Sequence, residues 1–231
     1  MLRLEVLSSG ELEQLHNATL GILEKTGVKV MHDPLREKLA KAGADTDENG
    51  VVHLPAKMVE ELLLMAPREV RLAMMDGKIL HIGGHNRYYT SIVTDPYVID
   101  FEQGPRRPRL EDTRRMTVIG DYLERVSKMS LMEYPPEDIP GPAGYLKSLE
   151  VFVTHTTKHW GIAPTSVDTM WQRIELAEIL ADGSTLREKP VLSVAATMTS
   201  PLTLTYTNAE IIVQAVKEGI PLVDIVSVDR N

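Results

Sequence analysis

The sequence predicts an α/β fold in which a mixed N-terminal region precedes a run of alternating strands and helices. From Glu111 onward, longer helical patterns alternate with short apolar strands, and Gly or Pro residues separate them. Strands that alternate with helices are typical of βα units, whose strands lie parallel in one sheet. The 231 residues are 43% hydrophobic and 25% charged, a globular composition with enough apolar side chains for a core. We therefore divide the chain into residues 1–110 and 111–231.

The N-terminal region begins with helix signals. Ser8 and Glu11 have the spacing of a capping box, and apolar residues then recur at helical spacing as far as Gly27. Asp33 is the expected cap of a second helix, with Pro34 in its first turn. The remaining elements expected here are a strand at residues 51–54 and a third helix at residues 55–64.

Two β-hairpins are predicted between residues 70 and 101. Their strands are expected at residues 70–74, 79–82, 88–94 and 97–101. Asp76-Gly77 is a typical turn for the first pair, and Asp95-Pro96 joins the second pair.

The second region contains four expected parallel strands. They lie at residues 128–133, 159–163, 191–197 and 222–226, with helices between them. We expect the strands to be neighbours in that order, because consecutive βα units usually are. A closed barrel needs eight such strands, so four would form either half of a barrel or an open sheet. The Gly-rich loop of nucleotide-binding sheets is missing, since Glu133–Asp138, which is rich in proline and acid, follows the first strand.

Charge and composition argue against several classes of protein. The 25 basic and 33 acidic residues give a net charge of −8, which disfavours nucleic-acid binding. The basic run Pro105–Arg109 is more typical of a solvated turn than of a phosphate site. Cysteine is absent, which excludes disulfides and zinc–thiolate sites and fits a cytoplasmic protein. No stretch approaches the ~20 apolar residues that span a membrane.

Short motifs along nearly the whole chain resemble one enzyme family. Asp100–Arg107 has the pattern D-x-x-T-G-x-R-R, with Gln103 in place of the threonine. The other matching stretches are Leu15–Val28, Ala42–Ala44, Ile79–Gly84, Pro136–Pro140, Thr157–His159, Arg187–Pro190, Thr199–Leu202 and Gly219–Pro221. Together they resemble the trimethylamine methyltransferase family, which includes members that demethylate glycine betaine and other quaternary amines.

The resemblance implies a (β/α)8 TIM barrel behind an N-terminal extension, with about half of the barrel in this chain. It also implies transfer of a methyl group from trimethylamine or a related methylated or quaternary amine to a cognate corrinoid protein. The corrinoid (cobalamin) would belong to that partner, and this chain would bind no cofactor tightly. Two alternatives stay open. One is a noncatalytic half-barrel fragment or one subunit of a split barrel enzyme, and the other is an unrelated barrel enzyme that acts on a small carbonyl or sugar.

The candidate substrate site lies at the C-terminal ends of the expected parallel strands, where barrel enzymes place their active sites. Aromatic faces and carboxylates hold a cationic amine through cation–π and Coulomb attraction, and hydroxyl groups can bind a substrate carboxylate. The residues of these types at the strand ends are Glu133, Tyr134, Thr165, Thr199, Ser200 and Asp224. Helix capping, wall packing or an ion pair is the structural alternative for each, and no catalytic residue is assigned.

His155 and His159 have the i, i+4 spacing of a metal-binding pair. We expect no metal site, because a helix-to-strand break separates the two residues and no third ligand is evident. His155 precedes the second parallel strand and His159 begins it, which places both at the end opposite the expected active site.

Half of a barrel would leave two open sheet edges, which invite pairing with another chain. Residues 222–226 at one of these edges are rich in β-branched side chains and contain no proline. We therefore expect a homo-oligomer or self-association through the open edges.

Overall fold

The computed structural model describes residues 5–93, 96–131 and 134–224. Its helices are α1 Ser9–Lys25, α2 Asp33–Lys41, α3 Ala56–Met65, α4 Leu110–Tyr122, α5 Pro142–His155, α6 Val167–Leu180 and α7 Tyr206–Glu218. Its strands are β1 Val28–Val30, β2 Asp45–Thr46, β3 Val51–His53, β4 Glu69–Ala73, β5 Ile79–Gly83, β6 Tyr89–Val93, β7 Val98–Asp100, β8 Gly104–Arg106, β9 Val126–Leu131, β10 His159–Ile162, β11 Leu192–Ala195, β12 Thr203–Leu204 and β13 Leu222–Asp224. The mixture of helices and sheets makes the fold α/β. None of the helices in these ranges is long and apolar enough to cross a membrane.

The chain divides into two compact units. The first takes its described residues from Met1–Pro67 and Thr197–Ala209, and the second from Arg68–Ala196 and Glu210–Ile225. In the sequence, the regular alternation of strands and helices begins near residue 110. The first compact unit, in contrast, ends at Pro67 and also includes the later segment Thr197–Ala209. That segment returns because β12 adds to the sheet of the first unit as a parallel neighbour of β1.

The first unit is a four-stranded sheet in the order β12-β1-β3-β2, with helices α1 to α3. The expected capping box of α1 is present, since the Ser8 hydroxyl accepts from Glu11 N and the Glu11 carboxylate accepts from Ser8 N at 2.7 Å. The expected Asp33 cap of α2 is wrong. His32 is the N-cap residue, because its Nδ1 accepts from Leu35 N at 3.1 Å while Asp33 already belongs to the helix.

The second unit contains a five-stranded sheet in the order β13-β11-β10-β9-β6, in which every neighbouring pair is parallel. The four strands expected from the βα pattern are neighbours in the expected order. The β4–β5 hairpin is also present, with Leu72 opposite Leu80.

The second predicted hairpin is wrong, because its two strands pair with other partners. β6 lies beside β9 in the parallel sheet, and β7 pairs with β8 instead. The β7–β8 turn is stabilised locally, since the Asp100 carboxylate accepts from the backbone N–H of Glu102 and Gln103. Gly104 then adopts φ +75°, a left-handed conformation that glycine reaches without strain.

One side of the five-stranded sheet carries the hydrophobic core. Met129, Trp160 and Leu192 are fully buried on it and lie side by side in the strand register. They belong to one cluster with Phe152 of α5 and Met170 of α6, and the Phe152 and Trp160 rings are 6.1 Å apart. Helices therefore cover this side, which leaves the opposite side of the strands for other contacts.

Candidate functional site

The opposite side of the parallel sheet is polar across three neighbouring strands. Side chains alternate between the two sides of a strand, so residues paired in register share a side. Lys128 of β9 pairs with His159 of β10, and Ser130 of β9 pairs with Gly161 of β10. Gly161 in turn pairs with Ser193 of β11. We call these five residues the polar face.

Gly161 makes room for its neighbours on the polar face. A methyl group at this position would lie 2.2 Å from Lys128 Cε, 2.7 Å from Ser130 Oγ and 3.1 Å from Lys128 Nζ. The lysine side chain therefore crosses the strand directly above the glycine. Its ammonium group and the Ser130 hydroxyl both lie next to the same point, and both residues are partly exposed.

His159 is the buried end of the polar face. Its Nδ1 lies 2.8 Å from the carbonyl oxygen of Ala73 and its Nε2 lies 2.8 Å from Ser193 Oγ. A carbonyl oxygen only accepts, so Nδ1 carries the proton and Nε2 accepts from the serine hydroxyl. Burial lowers the pKa of His159 to about 4, and the nearby Lys128 charge acts in the same direction. The imidazole is therefore neutral at physiological pH.

The β4–β5 hairpin holds His159 in place from the N-terminal end of the sheet. Ala73 N donates to the Pro190 carbonyl at 2.8 Å, and Ala73 O accepts from His159. Both polar backbone groups of Ala73 are thus satisfied by residues at the start of β10 and just before β11. The hairpin fixes the histidine ring and limits water access to it from this end.

At the other end of β9, the loop after the strand forms a groove. The groove has a volume of about 370 Å³ and includes Arg107, Tyr134 and Glu137 in its lining. Tyr134 is 40% exposed, and the Arg107 guanidinium stacks 4.7 Å from the centre of the Tyr97 ring. The groove therefore combines an aromatic face with a cation and a carboxylate.

Hydrogen bonds from two directions position this groove. Arg106 donates to both carboxylate oxygens of Asp112, at 2.7 and 2.9 Å, and lowers the pKa of that carboxyl. This ion pair joins the β7–β8 hairpin to the first turn of α4. From the loop after β9, the Asp138 carboxylate accepts from Leu110 N, and Glu137 N donates to the Pro108 carbonyl.

The other described residues predicted for the substrate site belong to different segments of the chain. Thr165 is exposed after β10, and the neighbouring Ser166 caps α6 by accepting from Thr169 N at 3.2 Å. Thr199 and Ser200 are exposed residues of the first unit, where Thr199 bridges to Thr203.

Two of the predicted carboxylates are described only in part or not at all. The backbone of Asp224 ends β13, in the same sheet as β9, but its side chain lies outside the described residues. Glu133 also lies outside the described residues. The substrate-binding roles of all six residues stay predictions.

His155 is far from a metal-site geometry. It ends α5, where its Nδ1 lies 2.8 Å from the Val151 carbonyl of the same helix. His159 instead points into the polar face. Within the described ranges, no group of three or more His, Asp or Glu side chains is arranged to hold a metal ion.

A second groove lies at the opposite end of the parallel strands. Its volume is about 760 Å³, and its lining includes Tyr89, Tyr122 and Arg125. It borders the starts of β6 and β9, the N-terminal end of the sheet. Enzymes built on parallel sheets bind substrates at the C-terminal end, so we favour the smaller groove beside Tyr134 despite its size.

None of the five residues of the polar face was among the site residues predicted from the sequence. The signal for this face was the period-two alternation of Lys128 and Ser130 with Met129 and Leu131, because strands of parallel sheets usually carry apolar side chains on both sides. His159 was set aside because it starts its strand, yet its ring packs across the face to reach Ser193.

Comparison with known proteins adds to this geometry. Residues 1–227 match the model of the family described as "Trimethylamine methyltransferase (MTTB)". The chain belongs to the trimethylamine methyltransferase family. The resemblance seen in its short motifs is therefore confirmed.

Several curated members of the family are similar to the chain. The trimethylamine methyltransferase MttB of Desulfitobacterium hafniense (strain DSM 10664 / DCB-2) is 28% identical over 93% of this chain and 44% of its own length. The MttB of Methanosarcina thermophila is 26% identical over 95% of this chain and 47% of its own length. The glycine betaine methyltransferase of D. hafniense (strain Y51) is 24% identical over 85% of this chain and 41% of its own length. The chain thus spans less than half the length of these relatives.

Proposed function

We propose that this protein takes part in methyl transfer from trimethylamine or a related methylated or quaternary amine to a cognate corrinoid protein. The observation that carries the proposal is the family match, which extends over residues 1–227. The similar relatives are named as methyltransferases for trimethylamine or glycine betaine, and both are methylated amines.

We further propose that the parallel sheet of the second unit is about half of a (β/α)8 barrel. Five parallel strands in consecutive order, with a helix between each strand and the next, support this assignment. In such a barrel the polar face would be the inner wall, because helices α5 and α6 pack on the apolar side. The C-terminal strand ends, where Tyr134 lies, would open toward the corrinoid partner.

The proposed reaction is a displacement at the methyl carbon. The C–N bond breaks and its electron pair remains on nitrogen, while a cobalt(I) corrinoid supplies the pair that forms the new C–Co bond. A quaternary ammonium substrate leaves as a neutral tertiary amine, and trimethylammonium leaves as dimethylamine. The corrinoid is a substrate carried by the partner. The role of this chain is to bind the amine and orient one methyl group toward the cobalt.

The residues around the groove suit the binding part of this role. The exposed ring of Tyr134 offers a π face for an alkylammonium group, and Glu137 adds negative charge to the same groove. Arg107 is stacked on Tyr97 at one side of the groove, where it would limit how closely a cation approaches.

The test is methyl transfer by the protein expressed from its complete gene. The protein is mixed with cob(I)alamin and, in separate reactions, with trimethylamine, dimethylamine, trimethylglycine and choline. We expect the cob(I)alamin absorbance to disappear with at least one of these amines, and faster when a corrinoid protein replaces free cobalamin. If no amine supports the change in either form, the proposed function is wrong.

A further inference from the structure

We propose that the outer side of the β7–β8 hairpin docks the corrinoid protein, through an apolar strip of Tyr97, Ile99 and Phe101 that is bordered by arginines. This inference rests on the proposed function, because that reaction requires a partner protein to bring its cobalt to the substrate. It adds the surface on which the partner docks and the chemistry of the partner's matching face, which is apolar at its centre and acidic around it.

The apolar strip points away from the body of the protein. Tyr97 is 56% exposed, Ile99 is 83% exposed and Phe101 is completely exposed. They alternate along the chain with Val98, which is buried, and Asp100, which is partly buried. Strands with one side in water usually place polar residues on that side, whereas the outward side of this hairpin is apolar. A contiguous apolar patch of this kind marks an interaction surface.

The hairpin holds the strip in one orientation. The Asp100 carboxylate accepts from Glu102 N at 3.0 Å and from Gln103 N at 3.1 Å, which closes the turn. The Arg106 guanidinium donates to Asp100 and also to Asp112 in the first turn of α4. A surface that is already ordered loses less conformational entropy when a partner binds, and this favours docking.

The strip lies at the C-terminal end of the parallel sheet. The hairpin follows β6, whose last residue Val93 pairs with Leu131, the last residue of β9. Arg107 links the strip to the groove beside Tyr134, because it lines that groove while its guanidinium stacks 4.7 Å from the centre of the Tyr97 ring. A protein that docks on the strip therefore lies beside the groove in which we place the amine.

The surroundings of the strip are positive in a chain that is acidic as a whole. Residues 97–115 contain five arginines and four carboxylates, a net charge of +1, whereas the whole chain has a net charge of −8. Arg107, Arg109 and Arg115 are exposed, and none of them forms an ion pair with a carboxylate among the residues that the structure describes. Exposed charges at the border of an interface attract a surface of opposite charge and speed its association.

The arginines also distinguish between possible occupants of the strip. In a twofold contact between two copies of this chain the same patch meets itself, so Arg107 and Arg109 of both copies would face each other. Like charges across an interface lower the affinity, which disfavours a second copy. An acidic protein gains from the same arginines, and the proposed reaction already requires a protein at this end of the sheet.

The strip is large enough to form the centre of an interface. Two exposed aromatic side chains and an isoleucine offer on the order of 400 Å² of apolar area. This is about half of the ~800 Å² that each partner contributes to an interface of standard size. A partner that carries a methyl group away must dissociate, and an apolar centre of moderate size suits such a transient complex.

The experiment measures docking separately from methyl transfer. The protein expressed from its complete gene and its variant I99T/F101S are titrated by calorimetry with each corrinoid protein encoded in the same genome, in the cobalt(II) state. We expect one corrinoid protein to bind the unaltered protein, and I99T/F101S to weaken that binding by about tenfold or more, a loss typical of central apolar residues. R109S removes an exposed charge but keeps a good helix cap, so it should weaken binding by only about two- to fivefold.

Free cob(I)alamin gives a second readout, because it needs no protein docking. The rate of methyl transfer to free cob(I)alamin should be the same for I99T/F101S and the unaltered protein. The KM for the corrinoid protein should rise in the variant by the factor seen in the titration.

Two controls separate docking from folding. Y122S and I179T change side chains that are 85% and 75% exposed but lie outside the strip, and they should leave the affinity for the corrinoid protein unchanged. Urea unfolding of I99T/F101S should match that of the unaltered protein, because exposed side chains contribute little to stability.

The outcomes distinguish this inference from the proposed function. If no corrinoid protein binds, or if one binds I99T/F101S as tightly as the unaltered protein, the docking surface is overturned even where methyl transfer to free cob(I)alamin is observed. A clear loss of unfolding stability in I99T/F101S would also overturn it, because the strip would then be packed inside the complete protein. Binding to vesicles of anionic lipid that depends on Phe101, with no effect on the corrinoid protein, would assign the strip to a membrane instead. Docking that depends on the strip without any methyl transfer would leave the surface standing and remove the proposed function.

Discussion

His159 couples the stability of the parallel-sheet unit to pH. Its ring is fully buried and neutral, and burial lowers its pKa from 6.5 to about 4. In the unfolded chain the imidazole takes up a proton below its ordinary pKa, whereas in the folded protein it stays neutral until about pH 4. Acid therefore favours the unfolded state throughout this window, and the stability present above pH 6.5 is lost as the pH falls.

The size of the effect follows from the two pKa values. Each pH unit between them costs about 1.4 kcal/mol of unfolding free energy. Between about pH 7.5 and about pH 5.5 the loss should be about 1 kcal/mol, and it should reach about 3 kcal/mol near pH 4. Carboxylates with lowered pKa values, such as Asp76 and Asp112, titrate below this first interval and contribute little to it.

The assay is urea unfolding at the two pH values, for the unaltered protein and for H159Q. Both tryptophans, Trp160 and Trp171, belong to the second unit, so fluorescence follows the unfolding of that unit. Glutamine has no titrating group, and we expect H159Q to lack the loss of about 1 kcal/mol whatever its stability at neutral pH. Equal pH dependence in the two proteins would refute the assignment of His159 as a buried neutral base.

Two glycine substitutions should change stability in opposite directions, and both can be measured by urea unfolding followed by circular dichroism. G161A places a methyl group 2.2 Å from Lys128 Cε and 2.7 Å from Ser130 Oγ, and we expect it to cost about 1–3 kcal/mol. A neutral result would show that the polar face is loosely packed. G21A lies inside α1 with no atom within 4 Å of the added methyl group, and it should stabilise the protein by about 0.5–1 kcal/mol. A loss of stability would contradict the open surroundings of this residue.

The sequence predicted the parallel order of β9, β10, β11 and β13 because the βα rhythm is a local pattern. It failed for β6, whose alternating residues resemble a hairpin strand next to Pro96. The pairing of β6 with β9 joins residues more than thirty positions apart, such as Val93 and Leu131. The local periodicity of β6 cannot indicate which distant strand it pairs with.

The sequence predicted the place of a site residue correctly only where the residue directly follows a strand and so lies at the end of that strand. Tyr134 follows β9, as the sequence indicates, but its groove partner Arg107 comes from the segment between β8 and α4. The polar face depends on strand register across β9, β10 and β11, and register is set by the packing of the apolar side. A single sequence does not show which strands pair. It therefore predicts neither the groove shared by the Tyr134 loop and Arg107 nor the set of residues that forms the polar face.

Isotope-labelled methyl transfer tests the central claim most directly. The protein expressed from its complete gene is incubated with a corrinoid protein in the cobalt(I) state and with trimethylglycine carrying three deuterated N-methyl groups. Mass spectrometry should find one intact CD3 group on the corrinoid for each molecule of dimethylglycine released, because the methyl group moves in a single displacement. Dimethylglycine formed without a CD3 group on cobalt, or no loss of a methyl group from any methylated amine, would contradict methyl transfer as the function of this protein.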